Sequence, residues 1–408
     1  MIVFLQALMA IPAGYVITIA PQTGMRQMIQ FRYCFGKYGN MVTAVINVIT
    51  VGGYGITGSI TGGQSLARVQ DGKLPVEAGI AIVLLIGMII GFVGYNFIHL
   101  VMKWYWIVSI FAFIVLVGCA GDQLHLQAPD SGGRPQSYIG IVALAAGNMI
   151  SWANVVGDYA CYMPPSAPKF RIGFYAAAGV TISFSLLMVL GAAIGGAISQ
   201  IPSWEAAYEA GGMGGVVGEI LIERLGNFGR FVLILLGISV FGVACRDIYT
   251  ISISLPAIIP PLRHVPRVLL AIVAAGVMIA IAIPASRSFV SAISSFLSIV
   301  GYYVGASISC FVVEWLYFRR SKAETLNPAI WDDGSALPTG IPAVISVILP
   351  WALIIPSMDT AWYTGPIAKV TGDIAFELSV VMGLLCYIPL RAYEIKRNGG
   401  RVNRDGIY

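Results

Sequence analysis

An all-α, polytopic membrane protein is the fold class this sequence predicts, and three observations carry it. Apolar residues make up 58% of the 408-residue chain and charged residues only 11%, where soluble domains carry about 25% charge. Apolar runs long enough to cross a hydrocarbon core, about 20 residues, recur from end to end. Basic residues gather in alternate connecting segments, as the positive-inside rule requires. In lipid the backbone must satisfy its own hydrogen bonds, so the spans are helices.

Eleven spans follow in order. The first runs from Ile2 to Ala20 and leads into PQTGMRQMIQFRYCFGK, a loop with three basic residues and no acid. The second, Tyr38 to Ala67, is uncharged and rich in glycine. The turn QDGKLPVE precedes the third, Ala78 to Leu100. The fourth runs from Trp104 to Gly121. A polar loop, Asp122 to Gln136, precedes the fifth, Ser137 to Pro164, which ends at Pro164, Pro165 and Pro168 because proline interrupts a helix. The sixth, Ile172 to Ser199, carries GAAIGGAIS, small residues that permit close helix packing. SWEAAYEAGGMGGVVGEILIERLG is too charged to span and reads as an interfacial helix. The seventh, Phe231 to Ile259, holds Arg246 and Asp247 in its middle. The eighth is Val268 to Ser286, and the ninth, Ser288 to Trp315, closes on Glu314. After a polar loop come the tenth, Gly340 to Met358, and the eleventh, Thr371 to Leu390, with a basic tail.

Alternating from outside, sixteen of the 24 basic residues fall on one side and seven on the other, with Arg246 inside the membrane. The sixteen mark the cytoplasm, which puts the N-terminus outside and the C-terminus inside. An odd count with that orientation leads us to expect one further span before Met1.

The fifth span departs from plain apolar composition. Asn148, Ser151, Trp152, Asn154, Gly157 and Asp158 crowd its middle. An intramembrane carboxylate faces a cavity, a partner or a pathway, and glycine lets a helix yield so that bare backbone lines a site. A flat aromatic, amides and an acid beside a helix break suit a planar, hydrogen-bonding solute. Other function classes are poorly served. The six cysteines lack any CxxC spacing, and His99, His125 and His264 fall at or near span ends, so no metal site or metalloenzyme is indicated. No cofactor is implied. The net charge of +5 reflects topology and gives no reason to expect nucleic-acid binding.

The chain resembles the fungal purine-cytosine permeases of the nucleobase–cation symporter family. The likeness rests on PQTGMRQMIQFRYCFG, GGQSL, SWANVVGDYACYMP, DIYTISISL, WDDGSALPTGIPA, WYTGPIAK and GDIAFEL, spread from end to end in the family's order. It implies a five-plus-five inverted-repeat (LeuT-like) fold, with residues 1–320 as the transport core and 321–408 as two accessory spans and a tail. It also implies that this chain begins at the family's second span, so that the broken first span, symmetry mate of the sixth, is absent; a chain that does not transport is then a reading of its own.

The resemblance implies proton-coupled uptake of a nucleobase, with sodium as the other cation in view, by a protein of the plasma membrane. Trp152 matches the aromatic that stacks on the base, and Asn148 lies one turn before it. Asp158 occupies the family's Asp-Tyr position, as a gate, structural partner or proton carrier. Tyr54 and Gly58 stand where the family has Trp and Asn, one turn apart on one face. Gln64 is placed to reach a base edge. In the family's eighth span Asp247 replaces an amide-rich segment and is a second proton carrier, with Ser252 retained. Arg246 either pairs with Asp247 or serves another acid while Asp247 turns to the site. The changes at Tyr54, Gly58 and Asp247 leave a vitamin-like heterocycle of the pyridoxine or thiamine type open as substrate. Ser291, Ser294, Ser295 and Ser298 make a polar stripe suited to an outer gate, Tyr302 and Tyr303 are selectivity candidates, and Glu314 is expected to pair locally with Arg319 or Arg320. The oligomeric state stays open.

Overall fold

A computed structural model of the protein describes residues 1–129 and 135–404. Its helices include α1 (Ile2–Val16), α2 (Gln27–Val69), α3 (Val76–Val93), α4 (Tyr95–Ala120), α5 (Pro135–Ile150), α6 (Gly157–Ala160), α7 (Lys169–Ala197), α8 (Pro202–Leu225), α9 (Asn227–Ser239), α10 (Phe241–Ile258), α11 (Arg267–Ala285), α12 (Phe289–Val313), α13 (Ile341–Ile348), α14 (Trp351–Ser357) and α15 (Ala375–Arg397), with single turns of helix at Ala20–Thr23 and Ala368–Thr371. A small hairpin, β1 (Asp359–Thr360) with β2 (Tyr363–Thr364), precedes α15.

Among the described residues nine helical stretches are long and apolar enough to cross a membrane. The difference from eleven has two causes. The eighth and ninth expected spans run together as Arg267–Phe318, joined by the single 3₁₀ turn Ser286–Ser288. The tenth is divided into α13 and α14 at Pro350, a residue with no N–H to carry a helical ladder onward.

The first expected loop is also different. Gln27–Phe35 is helical and continues into the span through a bend at Gly36, whose φ of 66° suits glycine. It holds its place by burying Phe31, Tyr33, Cys34 and Phe35. Its arginine finds partners in the late loop: Arg32 bonds the Asp332 carboxylate at 2.7 Å and stacks over Trp331 at 5.0 Å.

The described residues form two compact units: 1–47, 135–187 and 291–404 in the first, 48–129 and 188–290 in the second. In the first unit α1 packs on α5, and α5 crosses α12 at two glycines. A Cβ on Gly147 would stand 2.0 Å from the Leu297 carbonyl oxygen, and one on Gly301 3.1 Å from the Gly147 nitrogen. A buried ionic knot closes the C-terminal end of α12. Glu314 takes two bonds from Arg391, at 2.7 and 2.9 Å, one ion pair from Arg319 at 2.9 Å and the Tyr387 hydroxyl at 2.8 Å. Arg319 was expected; Arg391, 77 residues away in sequence, had no local signal.

In the second unit α3 packs on α10 and α11. The acidic segment after α7 is helical, as expected of an interfacial element. It is not a surface appendage, because Trp204, Val216, Ile220 and Leu221 are buried with Val232 and Leu233 of α9.

Candidate functional site

The fifth expected span breaks where its polar residues gather. α5 stops at Ile150, a 3₁₀ turn takes Ser151–Asn154, and α6 resumes at Gly157. The Ser151 hydroxyl donates to the Asn148 carbonyl at 3.1 Å. Trp152 is half-buried, with its indole edge-on to Phe184 at 6.4 Å and 76°. Asn154 is fully buried, and neither atom of its amide has a hydrogen-bond partner among the described residues. A buried amide left unpaired costs about 1–3 kcal/mol, so this turn keeps polar capacity in reserve beside an aromatic face.

Asp158 lies on the far side of the turn and is tied to backbone. Its Oδ1 accepts the Gln27 N–H at 2.9 Å, and the Gln27 Oε1 accepts the Gly157 N–H at 3.2 Å. The Gln27 N–H is one of the donors that a helix start leaves without an intrahelical acceptor. Asp158 therefore fastens the start of α2 to α6.

The remaining site residues belong to the second unit. The seventh expected span is broken at Val240, between α9 and α10. Asp247 follows on α10, fully buried. Arg246 bonds Asp247 Oδ1 at 2.7 Å, so the pair is mutual and Asp247 itself is the acid that Arg246 serves. Asp247 Oδ2 has no hydrogen-bond partner among the described residues. It faces α2 at Gly55, where a Cβ would stand 3.3 Å away. Tyr54, the neighbour of Gly55, is half-buried. Gly58, one turn on, meets the break: its Cβ position lies 2.7 Å from Val240 Cγ1. An amide there would collide with α9 and α10 as they stand, which accounts physically for glycine. Ser252 is buried and donates to the Tyr249 carbonyl at 2.7 Å. Gln64 is buried and accepts the Gly214 N–H at 3.4 Å.

Sequence reasoning missed a buried pair in the first unit. The Tyr302 hydroxyl donates to Asp373, which lies just ahead of α15 and also accepts the Ala375 N–H at 3.2 Å. Burial pushes the Asp373 carboxyl above its ordinary range. The ninth-span serine stripe contributes one contact to the hairpin, where Ser295 Oγ accepts the Ala361 N–H at 3.0 Å. Among the described residues no group of three or more His, Cys, Asp or Glu side chains is arranged to hold a metal.

A broken helix with an unpartnered buried amide beside an aromatic face suits a small polar solute, and comparisons with known proteins agree. A purine-cytosine permease of Saccharomyces cerevisiae is 30% identical over 417 residues, covering 98% of this chain and 76% of the relative. One from Emericella nidulans is 28% identical over 379 residues, covering 91% and 74%. A vitamin B6 transporter of Saccharomyces cerevisiae is 23% identical over 443 residues, covering 95% and 76%. MHP1, a nucleobase-cation-symport-1 family transporter solved in a closed conformation with bromovinylhydantoin bound, matches with a TM-score of 0.66 at 14% identity, covering 97% of this chain and 86% of that one. The likeness establishes the inverted-repeat fold expected from the sequence. The family model described as a permease for cytosine/purines, uracil, thiamine and allantoin matches residues 1–378. The chain is an integral membrane transporter, not an enzyme, and it belongs to this permease family.

Proposed function

We propose that the protein carries a nucleobase, cytosine or a purine, inward across the plasma membrane in symport with protons. The observation that carries this reading is the broken fifth span, where Trp152 offers a stacking face two residues from the unpartnered amide of Asn154. Stacking suits any base, and amide edges suit its alternating donors and acceptors. In the same unit Asn148 adds polar surface next to the broken turn; Tyr54, Gly58 and Ser252 of the second unit enter this reading from the family resemblance. Asp247 supports the proton role: Arg246 holds one oxygen and the other is unpartnered, so a proton taken up there neutralises the carboxylate while the Arg246 hydrogen bond to the first oxygen is kept. Asp158, committed to the Gln27 backbone, ranks second. Residues 1–320 form the transport core in this reading, and 321–408 are accessory.

A vitamin-like heterocycle is the second reading, favoured by the relation to a vitamin B6 transporter. Competition uptake with labelled cytosine, adenine, hypoxanthine, pyridoxine and thiamine, at pH 5 and pH 7, separates the two. Cytosine or purine uptake that is faster at pH 5 is expected; uptake of pyridoxine alone would replace the first reading with the second.

A further inference from the structure

A cavity of about 580 Å³ opens in the second unit, under the first half of α8, against the C-terminal end of α2 and the turn before α3. The turn QDGKLPVE is on the basic-poor side, which the positive-inside rule places outside the cell. Three features distinguish the cavity from a packing defect. First, α8 is interrupted above it. Gly211 and Gly212 leave helical geometry, Gly212 with φ of 61°, and a Cβ on Gly212 would stand 2.8 Å from the Gln64 amide nitrogen. Second, Gln64 lines the cavity while only 7% exposed, and its oxygen is held by the Gly214 N–H, which fixes how the amide is presented. Third, the wall residues Asp71, Arg68 and Glu219 belong to an ordered row of charges that Arg230 extends beyond the cavity lining. Arg230 bonds Asp71 at 2.8 Å, Asp71 bonds Arg68 at 2.9 Å, and Arg68 bonds Glu219 at 2.6 Å. The Arg230 hydrogen bond, with Arg68 beside it, holds the Asp71 carboxyl below its usual range. Glu219 spends one oxygen on Arg68, and the other makes no hydrogen bond among the described residues.

Such a wall sets a guanidinium next to a carboxylate acceptor, with the Gln64 amide, Ala206 and Gly211 lining the same cavity. That alternation complements the edge of a lactam or amidine heterocycle, in which a carbonyl or ring nitrogen adjoins an N–H. We infer that this cavity is an external recognition site, where a planar nitrogen heterocycle of the nucleobase class binds from outside before it is carried inward. The inference rests on the proposed function for the identity of the solute, and it adds a second site on the outer side.

The test uses the full chain in membranes and two readouts. In the first, Ala206→Cys is labelled with a membrane-impermeant maleimide; the native cysteines are buried or half-buried. External cytosine or adenine is expected to slow labelling at least three-fold, and adding Glu219→Gln to the cysteine variant should abolish the protection. In the second, initial uptake rates are measured for Gln64→Leu and Arg68→Met. The KM for entry should rise several-fold with little change in maximal rate, while the KM for exit from preloaded vesicles stays put. A structural defect would lower the maximal rate or shift both directions alike. Uptake by the parent with no protection at Ala206→Cys, or equal shifts in both KM values, overturns the inference and leaves the proposed function standing. Protection without uptake does the reverse, and neither protection nor uptake overturns both.

Discussion

Asp158 and Gln27 hold each other across 131 residues of sequence: the carboxylate accepts the Gln27 N–H, and the Gln27 amide oxygen accepts the N–H of Gly157, next to Asp158. Two helix starts, α2 and α6, are thereby satisfied by one reciprocal contact. Asp158→Ala leaves the Gln27 donor unpaired and should cost about 1–3 kcal/mol of stability. Asp158→Asn keeps an acceptor oxygen and should recover most of that. Thermal unfolding of the purified variants in detergent checks the order. Equal stability of both variants and the parent, with pH-independent uptake, would instead make Asp158 the proton carrier.

Trp152→Ala should weaken solute binding by roughly 1–3 kcal/mol, the loss of one aromatic stack on a base, with membrane targeting little changed. Trp152→Phe should lose less, since a ring face remains. Inhibition of labelled uptake by unlabelled solute gives the affinities. An unchanged affinity in folded Trp152→Ala would remove this residue from the site.

Asp247→Asn leaves the Arg246 guanidinium without its acid inside the membrane. Removing one member of a buried pair costs more than removing both. The single variant should therefore be less stable than Arg246→Met/Asp247→Asn, although the partial exposure of Arg246, 21%, softens the difference. Accumulation of solute should fall more than binding in both variants, and the pH dependence of accumulation should flatten. Accumulation and a pH profile matching the parent in the double variant would move proton coupling elsewhere.

Asp373 gives a pH dependence of stability with a definite sign. Burial raises its folded-state pKa above the unfolded value of 3.8, so between the two values the folded chain binds more protons than the unfolded chain. Stability from this group then falls as pH rises, starting near 3.8 and ending above the folded-state pKa. Asp373→Asn should remove that slope and keep an acceptor for the Tyr302 hydroxyl. Unfolding measured from pH 3.5 to 7 on both proteins tests it; parallel curves would assign the slope to another group.

The sequence by itself determined the class and most of the spans, because hydrocarbon imposes length and apolarity on each segment locally. It also marked the break in the fifth span, since Asn148, Trp152, Asn154 and Asp158 are neighbours in the chain and their polarity is costly wherever that segment lies. Glu314 could be paired with Arg319 for the same reason: five residues separate them. What only the tertiary structure decided are the partners across distance. That Arg391 would share Glu314, that Asp373 would meet Tyr302, that Asp158 would take a backbone N–H of α2, and that Gly58 would admit Val240 all follow from which helix faces touch. Apolar helices satisfy the bilayer equally well in many arrangements. The choice among them is made by close contacts such as Gly147 on Leu297, where a single added carbon would not fit, and such contacts leave no periodic mark in the sequence.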